Sequence, residues 1–285
     1  MQRAVDNVTS LSPRTASADL LERFLRLTQT DVELPCMRVR VGATHTLKAL
    51  DIDMPLLVLP LQGRKRVRRG DEWIRIVPGE LLFFPRPTAT DVENTPDPIT
   101  QMYVAVGIPF EDHVLSAARS LLREPALDGE GDVASLPMQP HVADLSTWID
   151  ALERGDSPRA CHALVGIALS FYAMGFRALL QPRVPSLSVR IRSMIASDPA
   201  RPWSSEEIES TLALSGATLR RHLAAEGSTL RKVLADARLS HALNLLVTTQ
   251  LPVKSVAQRV GYASVSTFIK RFNERYGVPP SQVGV

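Results

Sequence analysis

The chain has 285 residues, which is too long for one small domain and fits two domains of ordinary size. Hydrophobic residues make up 45% of it and charged residues 22%, a composition that excludes a largely disordered protein. No stretch of about 18 uncharged apolar residues is present, and the segment Met1 to Asp19 lacks the apolar core of a signal peptide. We therefore expect no membrane span and a cytoplasmic protein, in which Cys36 and Cys161 stay reduced.

Charge is divided unevenly along the chain. From Arg183 to the end there are 14 Lys and Arg but 7 Asp and Glu, a net charge of +7, which leaves −4 for residues 1–182. A basic domain joined to an acidic one is typical of a nucleic-acid-binding protein with a separate sensory or assembly domain. Chance variation between surfaces gives the same balance, so charge alone leaves the function open.

Strand patterns dominate the first half of the chain. Residues 1–35 are predicted to be a flexible leader, with a short helix over Asp19–Leu27. From Cys36 to Val106, short apolar or alternating runs follow one another without helical crossovers, and Gly70-Asp71 separates two runs that pair as a hairpin. This succession predicts an antiparallel barrel or sandwich. The predicted strands are Cys36–Val41, Leu56–Leu61, Arg64–Arg69, Trp73–Val77, Leu81–Pro85 and Ile99–Val106.

The periodicity becomes helical from Phe110 onward. Helices are predicted over Phe110–Arg123, Val142–Leu152 and Pro158–Leu180, and Pro182–Pro185 is predicted to be the interdomain linker. The third helix carries apolar residues at helical spacing, with small residues between them. We expect this stripe to form a homodimer contact, or else only to cover the barrel. Its residues are Leu164, Ile167, Ala168, Phe171 and Ala178.

Only helices are predicted from Leu187 onward, and they contain a repeated unit. Glu206–Leu223 has the pattern of helix, short turn and helix, and Val253–Phe272 repeats it. A long amphipathic helix lies between the two. In a helix-turn-helix unit the first helix braces the second, which projects side chains into the major groove of DNA. A three-helix fragment can imitate one unit, but two units joined by a long helix indicate DNA recognition.

The C-terminal region resembles the AraC/XylS family of bacterial transcription regulators over residues 187–282. The matching residues are Val256-Ala257-x-x-Val260-Gly261-Tyr262-x-Ser264-x-Ser266-x-Phe268-x-Lys270-Arg271-Phe272 and Tyr276-Gly277-x-Pro279-x-x-Gln282, with Leu219-x-Arg221-x-Leu223, Gly227-Ser228 and Arg238-Leu239-x-x-Ala242-x-x-Leu245-Leu246 upstream. The resemblance implies an effector-responsive activator that binds double-stranded promoter DNA, with RNA polymerase as a partner. The chain departs from the family at Lys270, usually Arg, and after Gln282, where an aromatic-basic pair is replaced by Val283-Gly284-Val285.

The resemblance also assigns DNA-contacting residues to two recognition helices. An Arg can bind guanine through two hydrogen bonds, and apolar side chains can contact thymine methyl groups, whereas Ser and Lys suit phosphates. The alternatives are a solvated basic face for the arginine pair and inward packing for the apolar residue of the second helix. The assigned residues are Ala217, Thr218, Arg220 and Arg221 in the first helix, and Val265, Ser266, Thr267, Ile269 and Lys270 in the second. Arg238 is expected to contact either a phosphate or internal carbonyl groups.

The N-terminal part resembles the cupin-like sensor domain of the same family at Gly63-Arg64-x-x-Val67, Gly70-Asp71 and Pro78-Gly79-Glu80-Leu81. The expected fold is therefore α+β. A cupin-like antiparallel β-barrel with a helical dimerisation segment spans residues 36–182, and an all-α domain with two helix-turn-helix units spans 187–285. His45 and His113 have no His-x-His partner, so we expect no metal, no cofactor and no catalytic activity.

The basic run Arg64–Arg69 bears on the effector. Alternation directs some of its cations into the barrel, where an unpaired charge is costly. A small anionic ligand with an apolar body, such as a fatty acid or an aromatic acid, would satisfy that charge. The alternative places the whole run on a solvated hairpin edge, where cations deter aggregation. Two other functions stay open: a regulator controlled by protein partners or dimerisation alone, and a cupin-type enzyme with a DNA-binding domain.

Overall fold

A computed structural model describes residues 13–30, 34–123 and 131–283, so residues 1–12 and 31–33 of the expected leader and the last two residues lie outside the described part. Nine strands of that part form two antiparallel sheets that face each other. The five-stranded sheet has the order β1-β8-β3-β6-β9 and the four-stranded sheet the order β2-β7-β4-β5. The strands are β1 (Met37–Val41), β2 (His45–Ile52), β3 (Leu56–Gln62), β4 (Arg64–Arg69), β5 (Glu72–Ile76), β6 (Glu80–Phe84), β7 (Thr88–Thr95), β8 (Tyr103–Pro109) and β9 (Ala134–Pro137).

The predicted strands are present, and three further strands complete the sheets. The hairpin of β4 and β5 turns at Gly70, whose φ of 59° suits a residue without a Cβ. Strands β2, β7 and β9 were not predicted. Strand β2 has a register shift between Leu47 and Leu50 in its pairing with β7, and this irregularity breaks the two-residue period on which the prediction relied.

Ten helices surround and follow the sheets within the described ranges. They are α1 (Pro13–Leu27), α2 (Asp112–Ser120), α3 (Val142–Glu153), α4 (Ser157–Ala173), α5 (Leu187–Ser197), α6 (Ser205–Leu212), α7 (Gly216–Ala225), α8 (Leu230–Thr248), α9 (Val253–Arg259) and α10 (Val265–Tyr276). None of these helices combines the length and the hydropathy that crossing a bilayer requires.

The five-stranded sheet is buried on both faces. On β3, Leu57 and Leu59 contact the helical layer formed by α1 to α4, while Val58 points into the space between the two sheets. Strand β6 alternates in the same way, with Phe83 towards the helices and Phe84 towards the interior. The N-terminal domain therefore has two cores, one beneath the helices and one inside the barrel.

Part of the expected flexible leader is an ordered helix. In α1, Leu20 and Phe24 are fully buried, and the Phe24 ring stacks on Trp148 with 6.0 Å between the ring centroids. The Arg23 guanidinium lies 2.5 Å from a carboxylate oxygen of Asp150 on α3. Apolar residues four apart share one helix face, which is how a short segment of this kind covers a sheet.

The apolar stripe of α4 covers the barrel, so the alternative interpretation of that stripe is correct. Leu164, Ile167, Ala168 and Phe171 are all buried within the protomer, and the Phe171 ring lies 4.4 Å from that of Phe83. These side chains are unavailable for a homodimer contact. Helix α4 also ends earlier than predicted, at Ala173, because Gly175 follows with a φ of 103°.

The two helix-turn-helix units are built on separate cores. The first has its own cluster, formed by residues of α5 to α8 such as Ile191, Ile208 and Leu223. The second unit, with Phe268 and Phe272, belongs to the same cluster as the barrel interior. The barrel and the second unit are consequently one packed body, whereas the first unit is attached through α8 and the linker.

Leu164 provides a test of the packing of α4. Leu164→Ala should lower the free energy of unfolding by about 3 kcal/mol, because it leaves a cavity beneath the helices. His162→Ala, on the exposed side of the same helix, should change it by less than about 0.5 kcal/mol. Urea unfolding followed by circular dichroism measures both. A Leu164→Glu variant that remained folded as a monomer would contradict this placement.

Candidate nucleic-acid interface

The first helix-turn-helix unit presents a basic surface on α7. Ser215 caps this helix, and its hydroxyl oxygen accepts from the backbone N–H of Thr218 at 3.3 Å. Leu219 and Leu223 anchor the opposite side in the core. The side chains of Ala217, Arg220 and Arg221 are exposed, and that of Thr218 is half-buried. The four residues assigned to the first recognition helix thus lie on or beside its outer face.

The second unit presents a surface of different chemistry on α10. Ser264 caps the helix by accepting from the backbone N–H of Thr267 at 3.3 Å, and Phe268 holds its inner side. Ile269 is 39% exposed, so it does not pack inward. The exposed ammonium of Lys270 lies 4.0 Å from Glu274 on the same helix. Ser266 and Thr267 are also exposed, while Val265 is half-buried against the barrel and second-unit cluster.

Arg238 serves an internal role. Its Nε donates to the carbonyl oxygen of Pro199 and its Nη2 to that of Arg201, both at 2.9 Å. These bonds tie the loop between α5 and α6 to the long helix α8. Of the two expectations for this residue, contact with internal carbonyl groups is the one that the geometry supports.

The turn between α7 and α8 fixes the start of α5. A Glu226 oxygen accepts from the backbone N–H of Leu187 at 2.7 Å, and its other oxygen accepts from the N–H and the hydroxyl of Ser188. A carboxylate is favoured at a helix N-terminus because it satisfies free N–H groups. Helix α8 begins at Leu230 with Thr229 as its N-cap.

The barrel interior contains a chain of polar side chains. The Lys65 ammonium donates to Asn94 Oδ1 at 2.9 Å, and Asn94 Nδ2 lies 3.3 Å from His45 Nε2. His45 Nδ1 lies 3.1 Å from the carbonyl oxygen of Ala43. This pattern suits a neutral imidazole that donates through Nδ1 and accepts through Nε2. Among the described residues, the buried hydroxyl of Tyr103 has no hydrogen-bond partner, and its ring lies 5.8 Å from Lys65 Nζ.

Burial changes the acid–base properties of this cluster. Loss of hydration lowers the pKa of Lys65 from its ordinary 10.5 to about 8. Burial also lowers the pKa of His45, and the neighbouring Lys65 charge adds to that effect. Burial raises the pKa of the Tyr103 phenol. Within the described ranges no carboxylate pairs with Lys65, so the interior holds a cation that lacks a counter-charge.

The basic run thus divides between the two environments expected for it. Lys65 and Val67 point inward, while Arg64, Arg68 and Arg69 are exposed. Alternation along β4 therefore does place one cation inside the barrel. The sequence did not indicate His45 or Asn94 as its neighbours, because both belong to strands without a clear strand pattern.

Strand β2 contacts both helix-turn-helix units through ion pairs. Arg275 of α10 lies 2.5 Å from Asp51 and also donates to the carbonyl oxygen of Ala49 at 2.8 Å. Arg192 of α5 lies 2.6 Å from Asp53, just beyond the end of β2. These contacts border an interdomain cleft of about 540 Å³. No local sequence pattern marks these contacts, because the partners are more than a hundred residues apart.

Comparison with known proteins identifies the C-terminal domain. Residues 209–284 match a family model described as a helix-turn-helix domain. The transcriptional regulator YdeO of Escherichia coli K12 is 37% identical over 117 residues, which cover 40% of this chain and 46% of YdeO. The virulence regulon transcriptional activator VirF of Shigella flexneri is 34% identical over 97 residues, which cover 34% of this chain and 37% of VirF. The chain thus spans less than half the length of these curated relatives.

The fold extends this likeness beyond the C-terminal domain. Crystal structures of ToxT from Vibrio cholerae superpose on nearly the whole chain. An apo variant gives a TM-score of 0.65 at 15% identity, covering 89% of this chain and 98% of ToxT, and an unsaturated fatty acid complex gives 0.61 at 14% identity, covering 87% and 93%. The α+β architecture expected from the sequence is confirmed, with a cupin-like barrel followed by a helical domain. The C-terminal domain of this chain is thus similar to the helix-turn-helix domains of transcription regulators.

Proposed function

We propose that the protein is a sequence-specific DNA-binding transcription regulator, that it acts as an activator, and that a small molecule bound to its barrel controls it. The observation that carries this proposal is the pair of helix-turn-helix units, whose outer faces expose Arg220, Arg221 and Lys270 within residues 183–285, a region of net charge +7. Its family relatives are transcription regulators, so the proposal includes no catalytic role. It places the protein in the cytoplasm, where promoter DNA is found.

The two units differ in what they can recognise. The first offers two arginines, each able to bind guanine through paired hydrogen bonds. The second offers Ile269 and small hydroxyl residues, which suit thymine methyl groups and phosphates. We therefore expect the first unit to discriminate more between bases. The contact with RNA polymerase stays a prediction drawn from the family resemblance. A homodimer also stays a prediction, and it would use a surface other than the buried stripe of α4.

Arg220 provides the test of DNA recognition. Selection from a random DNA pool by the full chain should yield a preferred sequence. Binding to it should weaken about tenfold to a hundredfold in Arg220→Ala, because a paired contact to a base is lost. Arg159→Ala, an exposed residue of α4, removes the same charge from the barrel domain and should change affinity less than about twofold. Fluorescence anisotropy measures both.

Salt dependence separates DNA binding from other association. Each phosphate that the protein neutralises releases counter-ions, so the affinity should fall steeply as salt rises. Affinity for the selected sequence that did not change with salt, or equal losses in the Arg220 and Arg159 variants, would contradict the proposal.

The effector is proposed to be a small anion with an apolar body. The buried Lys65 has no counter-charge among the described residues, and apolar side chains surround it. The Tyr103 ring lies 5.8 Å from Lys65 Nζ, and its buried hydroxyl has no hydrogen-bond partner among the described residues. A carboxylate would supply the missing charge. ToxT, which shares this fold, has been crystallised with an unsaturated fatty acid. A regulator controlled without a small ligand is the competing function, and ligand binding distinguishes the two.

Lys65→Met tests the buried cation directly. In the folded chain the pKa of Lys65 is about 8, while in the unfolded chain it returns to about 10.5. Between these values the unfolded chain binds more protons, so the wild type should gain up to about 3 kcal/mol of stability as the pH rises from 8 to 10.5. Lys65→Met lacks this gain and should be the more stable protein at pH 7. Urea unfolding at several pH values gives the difference.

The same variant tests the ligand. Oleate should raise the melting temperature of the wild type at pH 7, because a ligand that binds only the folded state stabilises it. Lys65→Met should lose most of that rise, and Lys254→Met, an exposed lysine of α9, should keep it. If oleate and benzoate both leave the wild type unchanged, the effector part of the proposal is wrong, while the DNA-binding part is unaffected.

A further inference from the structure

Two aspartates at the end of β2 hold both helix-turn-helix units. Asp51 pairs with Arg275 of the second unit at 2.5 Å, and Asp53 pairs with Arg192 of the first unit at 2.6 Å. All four side chains are at least two-thirds buried. Partly buried ion pairs are less screened by salt than exposed ones, so these contacts depend less on salt than ordinary surface pairs do.

The backbone beside these aspartates is held in an unusual conformation. Ala49 has a φ of 45°, in the left-handed region that residues with a Cβ rarely adopt. Its N–H donates to Asp91 Oδ1 at 2.8 Å, and its carbonyl oxygen accepts from Arg275 at 2.8 Å. Irregular strand positions of this kind redirect backbone groups, and here the carbonyl is directed at the second unit.

Strand β2 also reaches the barrel interior. Its first residue, His45, is buried and lies beside Asn94 and hence Lys65 in the polar cluster. From His45 to Asp53 the chain covers about 25 Å as an extended strand. One continuous element therefore runs from the proposed effector position to the ion pairs that hold the DNA-binding domain.

The charges at this contact oppose DNA binding. Docking neutralises Arg192 and Arg275 with carboxylates, and a third carboxylate, Asp236, lies 3.5 Å from Arg275. Burial raises the pKa of Asp236, which Arg275 partly offsets. Docking also keeps the acidic N-terminal part, residues 1–182 with a net charge of −4, next to the basic domain. Phosphates and carboxylates attract the same cations, so these ion pairs reduce the positive charge that the helix-turn-helix domain can offer to DNA.

We propose that Asp51 and Asp53 form a clasp through which β2 holds both helix-turn-helix units against the barrel, and that release of this clasp raises the affinity of the full chain for DNA. The inference rests on the proposed function, since it concerns how DNA binding is controlled. The clasp limits DNA binding without covering the recognition surfaces, because Arg220 and Lys270 are exposed while it is closed.

The test compares two double variants of the full chain. Asp51→Asn with Asp53→Asn removes both clasp charges and keeps the side-chain size. Asp71→Asn with Glu72→Gln removes two carboxylates from the same domain at the exposed turn between β4 and β5. The clasp variant should bind the selected DNA about five to ten times more tightly than the wild type, and the control within about twofold. Circular dichroism checks that both are folded.

Trypsin cleavage after Arg183 reports on the clasp independently of DNA. Val184 in the linker is 93% exposed, and faster cleavage of the Arg183–Val184 bond indicates that the domains separate more often. The clasp variant should be cleaved several times faster than the wild type and the control.

Three results would overturn the inference. Equal affinities in the clasp variant and the wild type would remove the regulatory role, and an equal rise in both double variants would reduce it to general charge repulsion. Unchanged cleavage would show that the aspartates do not hold the domains together. If the wild type and both variants bind no DNA at all, the proposed function fails, and with it the regulatory role, while cleavage still decides whether the clasp exists.

Discussion

The second helix-turn-helix unit shares its hydrophobic core with the barrel, and the remaining features of the molecule follow from that contact. Phe268, Phe272 and Tyr276 belong to one buried cluster together with Val67 and Val92 of the four-stranded sheet. A cluster of this kind cannot shift gradually, because close-packed side chains resist small displacements. The barrel and the second unit therefore move together or come apart.

The first unit is held differently: its contact with the barrel domain is an ion pair, whereas that of the second unit is a hydrophobic core. Its own cluster of α5 to α8 residues is separate from that of the barrel, and Arg192–Asp53 is the ion pair that connects it to β2. An apolar contact is insensitive to salt, whereas an ion pair weakens when salt rises. The first unit, which carries the arginine pair, is thus the one whose position responds more readily to charge.

The parts of the fold that could be predicted are those in which one face of an element is consistently apolar. The alternation of β4 and the helix-turn-helix repeat both lie where the sequence placed them. The α4 stripe was recognised too, but a buried stripe looks the same in sequence whether it covers a barrel or a second protomer. A local sequence pattern therefore predicts which residues are buried, but it does not predict whether they pack against the same protomer or a second one.

The residues of the barrel interior and of the interdomain contact could not be predicted for a physical reason. Strand β7 buries Asn94 and Val92 on its inner face, so its inward positions are not uniformly apolar. Strand β2 loses its period at the bulge near Ala49. Both strands depart from the regular alternation at the positions where they make polar contacts. These positions contain the polar cluster of the barrel and the contact between β2 and Arg275.

The stability of the fold does not explain why a lysine is buried at position 65. An apolar side chain at position 65 would fill the interior without the loss of hydration that lowers the pKa of Lys65. Its hydrogen bond to Asn94 offsets part of that cost, and its counter-charge is supplied by no described residue. The proposed anionic effector would supply that counter-charge, and the protein would then be more stable with the anion bound. Because Lys65 contacts β2 through Asn94 and His45, this gain in stability would arise next to the strand that contacts both DNA-binding units.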